Sequence, residues 1–271
     1  MAGVLQLSVG CDFSFNAPGE VAAVFQVEPT RDARHRLLAE TLTTTPTQPR
    51  WSYQDSFGNT CSRLLMPQGP FGLSYHATVE VPDAIDDIDL EARETPIDSV
   101  PDTVLMYLLP SRFCVSDVMA NQAWELFGGL APGWRRVQAI VDAVNGHLTF
   151  GYGTSSPTLT AQEAFDSAKG VCRDFAHVAI TFCRALNIPA RYVFGYLPDI
   201  EVPIPDAPMD FCAWMEVWLD GRWWTFDPRN NQHRKGRVVI GRGRDAVDVA
   251  MVTTYGFARL DEMTVIAEPA A

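Results

Sequence analysis

Cys172 lies in the segment Gly170-Val171-Cys172-Arg173-Asp174-Phe175-Ala176-His177, directly after a glycine. An apolar helical pattern follows it, Val178, Ala179, Phe182, Cys183 and Leu186, and stops at Asn187-Ile188-Pro189. A thiol at the start of a buried helix is favoured as thiolate by the positive end of the helix dipole. The free N–H groups of the same turn are suited to stabilising an oxyanion. A packing cysteine is the plainer alternative, since free cysteine is among the most buried residue types. The position after Gly170 at a helix start favours the reactive reading.

Further along, Phe211 to Leu219 and Arg222 to Asp227 form the arms of a hairpin joined by Asp220-Gly221, a type I′ turn pair. A two-residue turn fixes the register, so Leu219 faces Arg222 and Asp227 falls opposite Trp214. With side chains alternating, Cys212, Trp214 and Glu216 share one face with Thr225 and Asp227. Cys212 and Asp227 are then diagonal neighbours, with backbones roughly 7–8 Å apart. A histidine at 212 would span that gap to the carboxylate; a cysteine is too short. Among the histidines, His177 follows Cys172 by five residues and points some 140° away from it on an α-helix, by the usual repeat of about 3.6 residues per turn. His233, in Asn230-Asn231-Gln232-His233-Arg234, is a candidate to fold over the cleft. His35 and His76 belong to a β region and are structural by expectation, and the sequence does not place His147.

These groups need a scaffold. Residues 1–95 alternate short apolar strands (Val21 to Phe25, Ser74 to Val81) with turn signals such as Asn16-Ala17-Pro18-Gly19 and Gly58-Asn59, which predicts a β sandwich or open barrel. An acidic, proline-punctuated stretch between Pro82 and Pro101 reads as an interdomain connection, with the linker set at 96–102. From 103 to 271 the pattern becomes helices first and strands afterward. One helix is expected from a Ser116 cap to Gly128-Gly129, and a second from Gly133 to Asn145. A short third helix opens with the capping box Thr160-Ala161-Gln162-Glu163 and runs to Gly170; a strand follows over Ala190 to Leu197.

The chain of 271 residues has 21 basic against 33 acidic side chains, a net charge of -12 that repels phosphate backbones and argues against nucleic acid as a partner. No apolar run reaches the roughly 20 residues of a membrane span. The start, Met-Ala-Gly-Val-Leu-Gln, lacks the basic flank and apolar core of a secretion signal, so a cytoplasmic location and no membrane partner are expected. The six cysteines include no C-x-x-C pair, so neither a zinc ribbon nor a thioredoxin-like motif is present.

The order Gly170-Val171-Cys172, then Asn187-Ile188-Pro189-Ala190-Arg191-Tyr192-Val193-Phe194-Gly195-Tyr196, then Cys212-Ala213-Trp214-Met215-Glu216-Val217, then Phe226-Asp227-Pro228 resembles the transglutaminase-like superfamily. The N-terminal region, with Asp55-Ser56-Phe57-Gly58-Asn59, looks like the β domain that precedes the core in bacterial members. The resemblance implies a papain-like α+β core, a nucleophile helix packed on an antiparallel sheet, behind an all-β N-terminal domain. It also implies thiolate attack on a carboxamide, a thioester, and transfer to an amine or water. By position Cys172 is the nucleophile, residue 212 holds the base slot, and Asp227 orients the base. The sequence departs at 212, where Cys212 replaces histidine, and a neutral thiol is a poor proton acceptor.

Three readings stand on the sequence: a weakened cysteine hydrolase or acyltransferase acting on peptide or amide bonds, a non-catalytic peptide- or partner-binding pseudoenzyme, and a thiol or redox site formed by residues 172 and 212. A metal held by two cysteines and one carboxylate would have an incomplete zinc shell, so no metal and no cofactor is expected.

Overall fold

The computed structural model describes residues 3–31 and 34–270. Six strands come first: β1 (Val4–Ala17), β2 (Val21–Phe25), β3 (Arg36–Thr45), β4 (Arg50–Gln54), β5 (Thr60–Met66) and β6 (Gly69–Pro82). They are strands because apolar residues recur at period two. Leu7, Val9, Cys11, Phe13, Phe15 and Ala17 on β1 are all buried, as are Phe71, Leu73, Tyr75, Ala77, Val79 and Val81 on β6. These faces meet Val21, Ala23, Phe25, Leu64 and Met66 in one core, with Phe13 and Phe25 in ring contact at 5.9 Å. No helix occurs among the described residues of the first 90, as expected.

The helical part comprises α1 (Asp102–Leu105), α2 (Ala120–Phe127), α3 (Trp134–His147), α4 (Ala161–Ser167) and α5 (Cys172–Ala185), with the short parallel pair β7 (Thr149–Phe150) and β8 (Lys169–Gly170). The predicted capping box is present: Thr160 Oγ1 accepts from Glu163 N–H at 3.3 Å, and Glu163 accepts from Thr160 N–H at 2.8 Å. Two boundaries differ from expectation. The first long helix starts at Ala120 rather than at Ser116, because residues 115–119 close a tight turn in which Val118 and Met119 N–H both donate to the Val115 carbonyl. α4 stops at Ser167, where Ala168 turns left-handed at φ 53°, so Gly170 lies in β8.

A third sheet, ordered β11-β10-β9-β12, carries the chemistry; it is made of β9 (Ala190–Tyr196), β10 (Cys212–Leu219), β11 (Arg222–Phe226) and β12 (Val238–Gly243). α5 packs on it through Phe175, Ala176, Val178, Ala179 and Phe182, which share one core with Ala213, Met215 and Val217 of β10. This is the expected α+β arrangement of a nucleophile-bearing helix on an antiparallel sheet.

The linear division into 1–95, a 96–102 linker and 103–271 needs correction. β13 (Val252–Thr254) pairs with β2, and β14 (Arg259–Pro269) pairs with β1 along most of its length, so the chain end completes both N-terminal sheets. The order β14-β1-β6-β3 shows why: β1 needs a partner on its second edge, and Val265 and Ala267 are buried there. The acidic stretch is a strap, not a free linker. Asp86 accepts from Arg234 N–H at 2.9 Å and from Arg237 Nε at 3.0 Å, and Glu94 bridges Leu219 of the hairpin. No helix among the described residues is long and apolar enough to cross a membrane.

Candidate functional site

Cys172 is the first residue of α5, as the sequence predicts. Gly170 makes that start possible. A Cβ there would come within 2.7 Å of Asp174 Cβ, whereas glycine lets Asp174 fold back and accept the Val171 N–H at 2.9 Å. Arg173 pins the same turn, donating to Asp174 Oδ1 at 3.2 Å and to Ser155 Oγ at 2.6 Å. The nucleophile candidate therefore sits on a braced helix terminus.

The hairpin adopts the predicted register, Leu219↔Arg222 through Met215↔Phe226, with Asp220 and Gly221 at φ 48° and 76°. Cys212 opposes Gly195 of β9 and packs with Val193, Leu197, Trp214 and Val239 in a small cluster that Cys172 also touches. Cys172 Sγ donates to the Phe211 carbonyl at 4.0 Å and Cys212 Sγ to the Ala213 carbonyl at 3.7 Å. The Cys212 thiol lowers the pKa of Cys172, and the Ala213 N–H and the Arg229 charge act in the same direction; burial and Asp210 oppose them. Cys212 is pushed well above the ordinary thiol range by its interaction with Cys172, by burial, by the Cys172 charge and by Asp227. The pair is thus asymmetric: Cys172 is the more readily ionised thiol and Cys212 the less.

The remaining cysteines differ. Burial pushes Cys11 and Cys114 up to about 12, and raises Cys61 and Cys183 as well.

Asp227 is buried, and its carboxylate is fully engaged. It accepts from Asn230 N–H at 2.9 Å, Asn230 Nδ2 at 2.8 Å and Arg237 Nη2 at 2.9 Å. Arg237 also lies over the Trp214 ring at 4.8 Å, and its pKa is raised because Asp227 and Asp86 outweigh its burial. Where the resemblance implies an imidazole held by Asp227, a guanidinium occupies the carboxylate.

Cys172 and Cys212 open onto a cavity of about 180 Å³ whose walls include Phe150, Tyr152, Leu197, Pro208, Met209 and Phe211. Its polar rim is Asp199, Asp210, Arg229, Asn230 and Arg234. None of the five histidines lines it. His177 is a core residue: Nε2 accepts from Ala246 N–H at 3.2 Å, the ring stacks on Phe113 at 5.1 Å, and burial with the charges of Arg173 and Arg184 keeps it neutral. His233 lies instead on a neighbouring small cavity with Gln138 and Asp227. His147 contacts the Phe165 carbonyl at 2.7 Å, His35 the Thr30 carbonyl at 2.7 Å, and His76 pairs with Asp12 at 3.3 Å. Among the described residues no cluster of three or more histidine, cysteine and carboxylate side chains is placed to hold a metal ion.

Asp210 is the functional candidate that sequence reasoning missed. It precedes Cys212 by two residues, outside β10, and lines the same cavity. It accepts from Phe211 N–H at 2.7 Å, among the described residues it pairs with no basic side chain, and burial raises its pKa.

A thiol-bearing helix end facing a hairpin across an apolar cleft, with a carboxylate on the second hairpin arm, defines a papain-like thiol fold. Residues 121–228 match the model of the transglutaminase-like superfamily. The crystal structure of a "Putative Cysteine Protease" from Cytophaga hutchinsonii superimposes over 100% of this chain and 92% of its own, with a TM-score of 0.92 and 29% identity. An uncharacterized protein of Mycobacterium leprae is 35% identical over 101 residues, 36% of either chain. An uncharacterized protein of Mycobacterium tuberculosis (strain H37Rv) is 38% identical over 114 residues, 38% of this chain and 36% of its own. The matched region thus spans about a third of these mycobacterial relatives.

Proposed function

We propose that this protein is a thiol acyltransferase or hydrolase for peptide-like substrates, with Cys172 as nucleophile and with amide turnover restrained by the absence of an imidazole. The observation that carries this reading is the position of Cys172 as first residue of α5, lining the cavity together with Cys212. The thiolate attacks the acyl carbon, and the N–H groups of Cys172 and Arg173 receive the oxyanion, those of Asp174 and Phe175 being engaged by the Val171 carbonyl. The leaving group departs as the thioester forms. A thiolate or phenolate leaves unaided, but an amine needs a proton. Asp210, whose pKa burial raises, is the group that carries that proton, and Cys212 serves by stabilising the thiolate rather than by shuttling. Asp227 acts at one remove, by fixing Arg237 beside Trp214 and Cys212.

The test is a single-turnover reaction with a p-nitrophenyl ester and the matching p-nitroanilide of one short peptide, followed by mass mapping. Acylation of Cys172 by the ester, lost in Cys172→Ser, is the expected result, with the anilide slower and its pH profile changed in Asp210→Asn. No acyl adduct at Cys172 with any of several activated esters would overturn it. A second reading, a peptide-binding cleft without turnover, is favoured by the complete engagement of Asp227 with Arg237 and Asn230. In that case peptide binding persists in Cys172→Ala and no acyl-enzyme forms in the natural protein.

A further inference from the structure

Cys172 and Cys212 differ from every other cysteine of the chain in two respects. They pack in one small side-chain cluster, and both line a cavity reachable by small molecules. Cys11, Cys61, Cys114 and Cys183 are buried and none of them lines that cavity; all six are free thiols. Packing of two cysteines in one cluster is the first requirement for a disulfide, whose Cα atoms lie about 4.4–6.8 Å apart. Cys172, half-buried, is the member an incoming reagent meets, while Cys212 lies behind it against Trp214 and Val239. Acyl transfer needs only one of the two.

We propose that the Cys172–Cys212 pair exchanges with low-molecular-weight disulfides, Cys172 as attacking thiol and Cys212 as resolving thiol. In the first step the Cys172 thiolate attacks one sulfur of R–S–S–R, forming Cys172–S–S–R and releasing R–S⁻. In the second, Cys212 gives up its proton and attacks the Cys172 sulfur, which expels the second R–S⁻ and closes the Cys172–Cys212 disulfide. The two thiols lose two electrons and two protons, and the small disulfide becomes two R–SH. The asymmetry of the pair suits these roles, because attack needs thiolate at Cys172 while Cys212 stays protonated until Cys172 is neutralised. The closed disulfide consumes the nucleophile, so oxidation silences the cleft and a dithiol reductant restores it. This exchange does not rest on the acyl-transfer reading.

The experiment incubates the reduced full chain with glutathione disulfide, blocks remaining thiols by acid quench and alkylation, and maps the peptides. The expected product is a cross-linked pair of peptides carrying residues 172 and 212, two hydrogens lighter than their sum, with the other four cysteines alkylated only after unfolding. Cys212→Ser should stop at a glutathione mixed disulfide on Cys172, and Cys172→Ser should yield neither product. A mixed disulfide on Cys172 that persists in the natural protein, or no modification at Cys172 under conditions that oxidise a model dithiol, would overturn the proposal. Ester acylation of the reduced protein is read separately, so failure of one claim is distinguishable from failure of the other.

Discussion

Glu216→Gln tests the scaffold that holds Cys212 in place. Glu216 lies four residues beyond Cys212 on the same face of β10 and is fully buried. Its carboxylate meets Arg191 Nε at 2.7 Å, Arg242 Nε at 3.0 Å and Arg34 Nη1 at 2.6 Å, which ties β10 to β9, to β12 and to the N-terminal β layers. Burial alone would raise the Glu216 pKa, but the three guanidiniums overcome it and lower it from 4.5 to about 2. By linkage that difference corresponds to about 3 kcal/mol of stability. Because the folded value is the lower one, this contribution is complete above about pH 4.5, where the carboxylate is charged in both states, and it fades as pH falls toward about 2. Urea unfolding followed by tryptophan fluorescence should show Glu216→Gln weaker than the natural protein by about 3 kcal/mol at pH 7, the range expected when one partner of a buried ion cluster is removed. The gap should fall to less than about half of that near pH 3. A gap as large at pH 3 as at pH 7, or one below about 1 kcal/mol at pH 7, would refute the electrostatic account.

Other outcomes follow from the same geometry. Cys212→His should alkylate Cys172 about 10²-fold faster near pH 7 than Cys212→Ser, the low end for general-base help, because Asp227 is already engaged by Arg237 and Asn230; equal rates would show that residue 212 is not a base position. Gly195→Ala should destabilise the chain by about 1–3 kcal/mol in urea titration, since its Cβ would meet the Val238 carbonyl and approach the Trp214 ring at 2.8 Å. Arg237→Met should cost about 3–5 kcal/mol at neutral pH in urea titration, by leaving Asp86 and Asp227 without their guanidinium; a loss below about 1 kcal/mol would contradict this.

What the sequence disclosed was local. Asp220-Gly221 set the hairpin register because a two-residue turn leaves no freedom, and Gly170 with the apolar run after Cys172 marked the start of α5. Thr160 and Glu163 announced α4 by their reciprocal bonds. What it concealed was long-range. β14 returns to β1 from the far end of the chain, and nothing in Met263, Val265 and Ala267 names that partner. The acidic strap resembled a linker because the groups Asp86 meets, Arg234 and Arg237, lie 148 and 151 residues away. Arg237 escaped notice as the counter-ion of Asp227 although it is only 10 residues distant, because a guanidinium in that place has no motif. Asp210 carried no signal, because it lies in the loop before β10; its place on the cavity became visible only in the structure.

The central claim is that Cys172 is a thiol activated by its helix end and by Cys212, in a cleft without histidine. Its most direct test is the pH dependence of iodoacetamide alkylation, followed peptide by peptide on the folded, reduced chain. Cys172 should label first, with a midpoint below that of an ordinary thiol, and Cys212→Ala should move that midpoint upward by removing the thiol that lowers it. Labelling led by Cys11, Cys61 or Cys114, or a Cys172 midpoint at or above the ordinary value and unmoved in Cys212→Ala, would contradict the account.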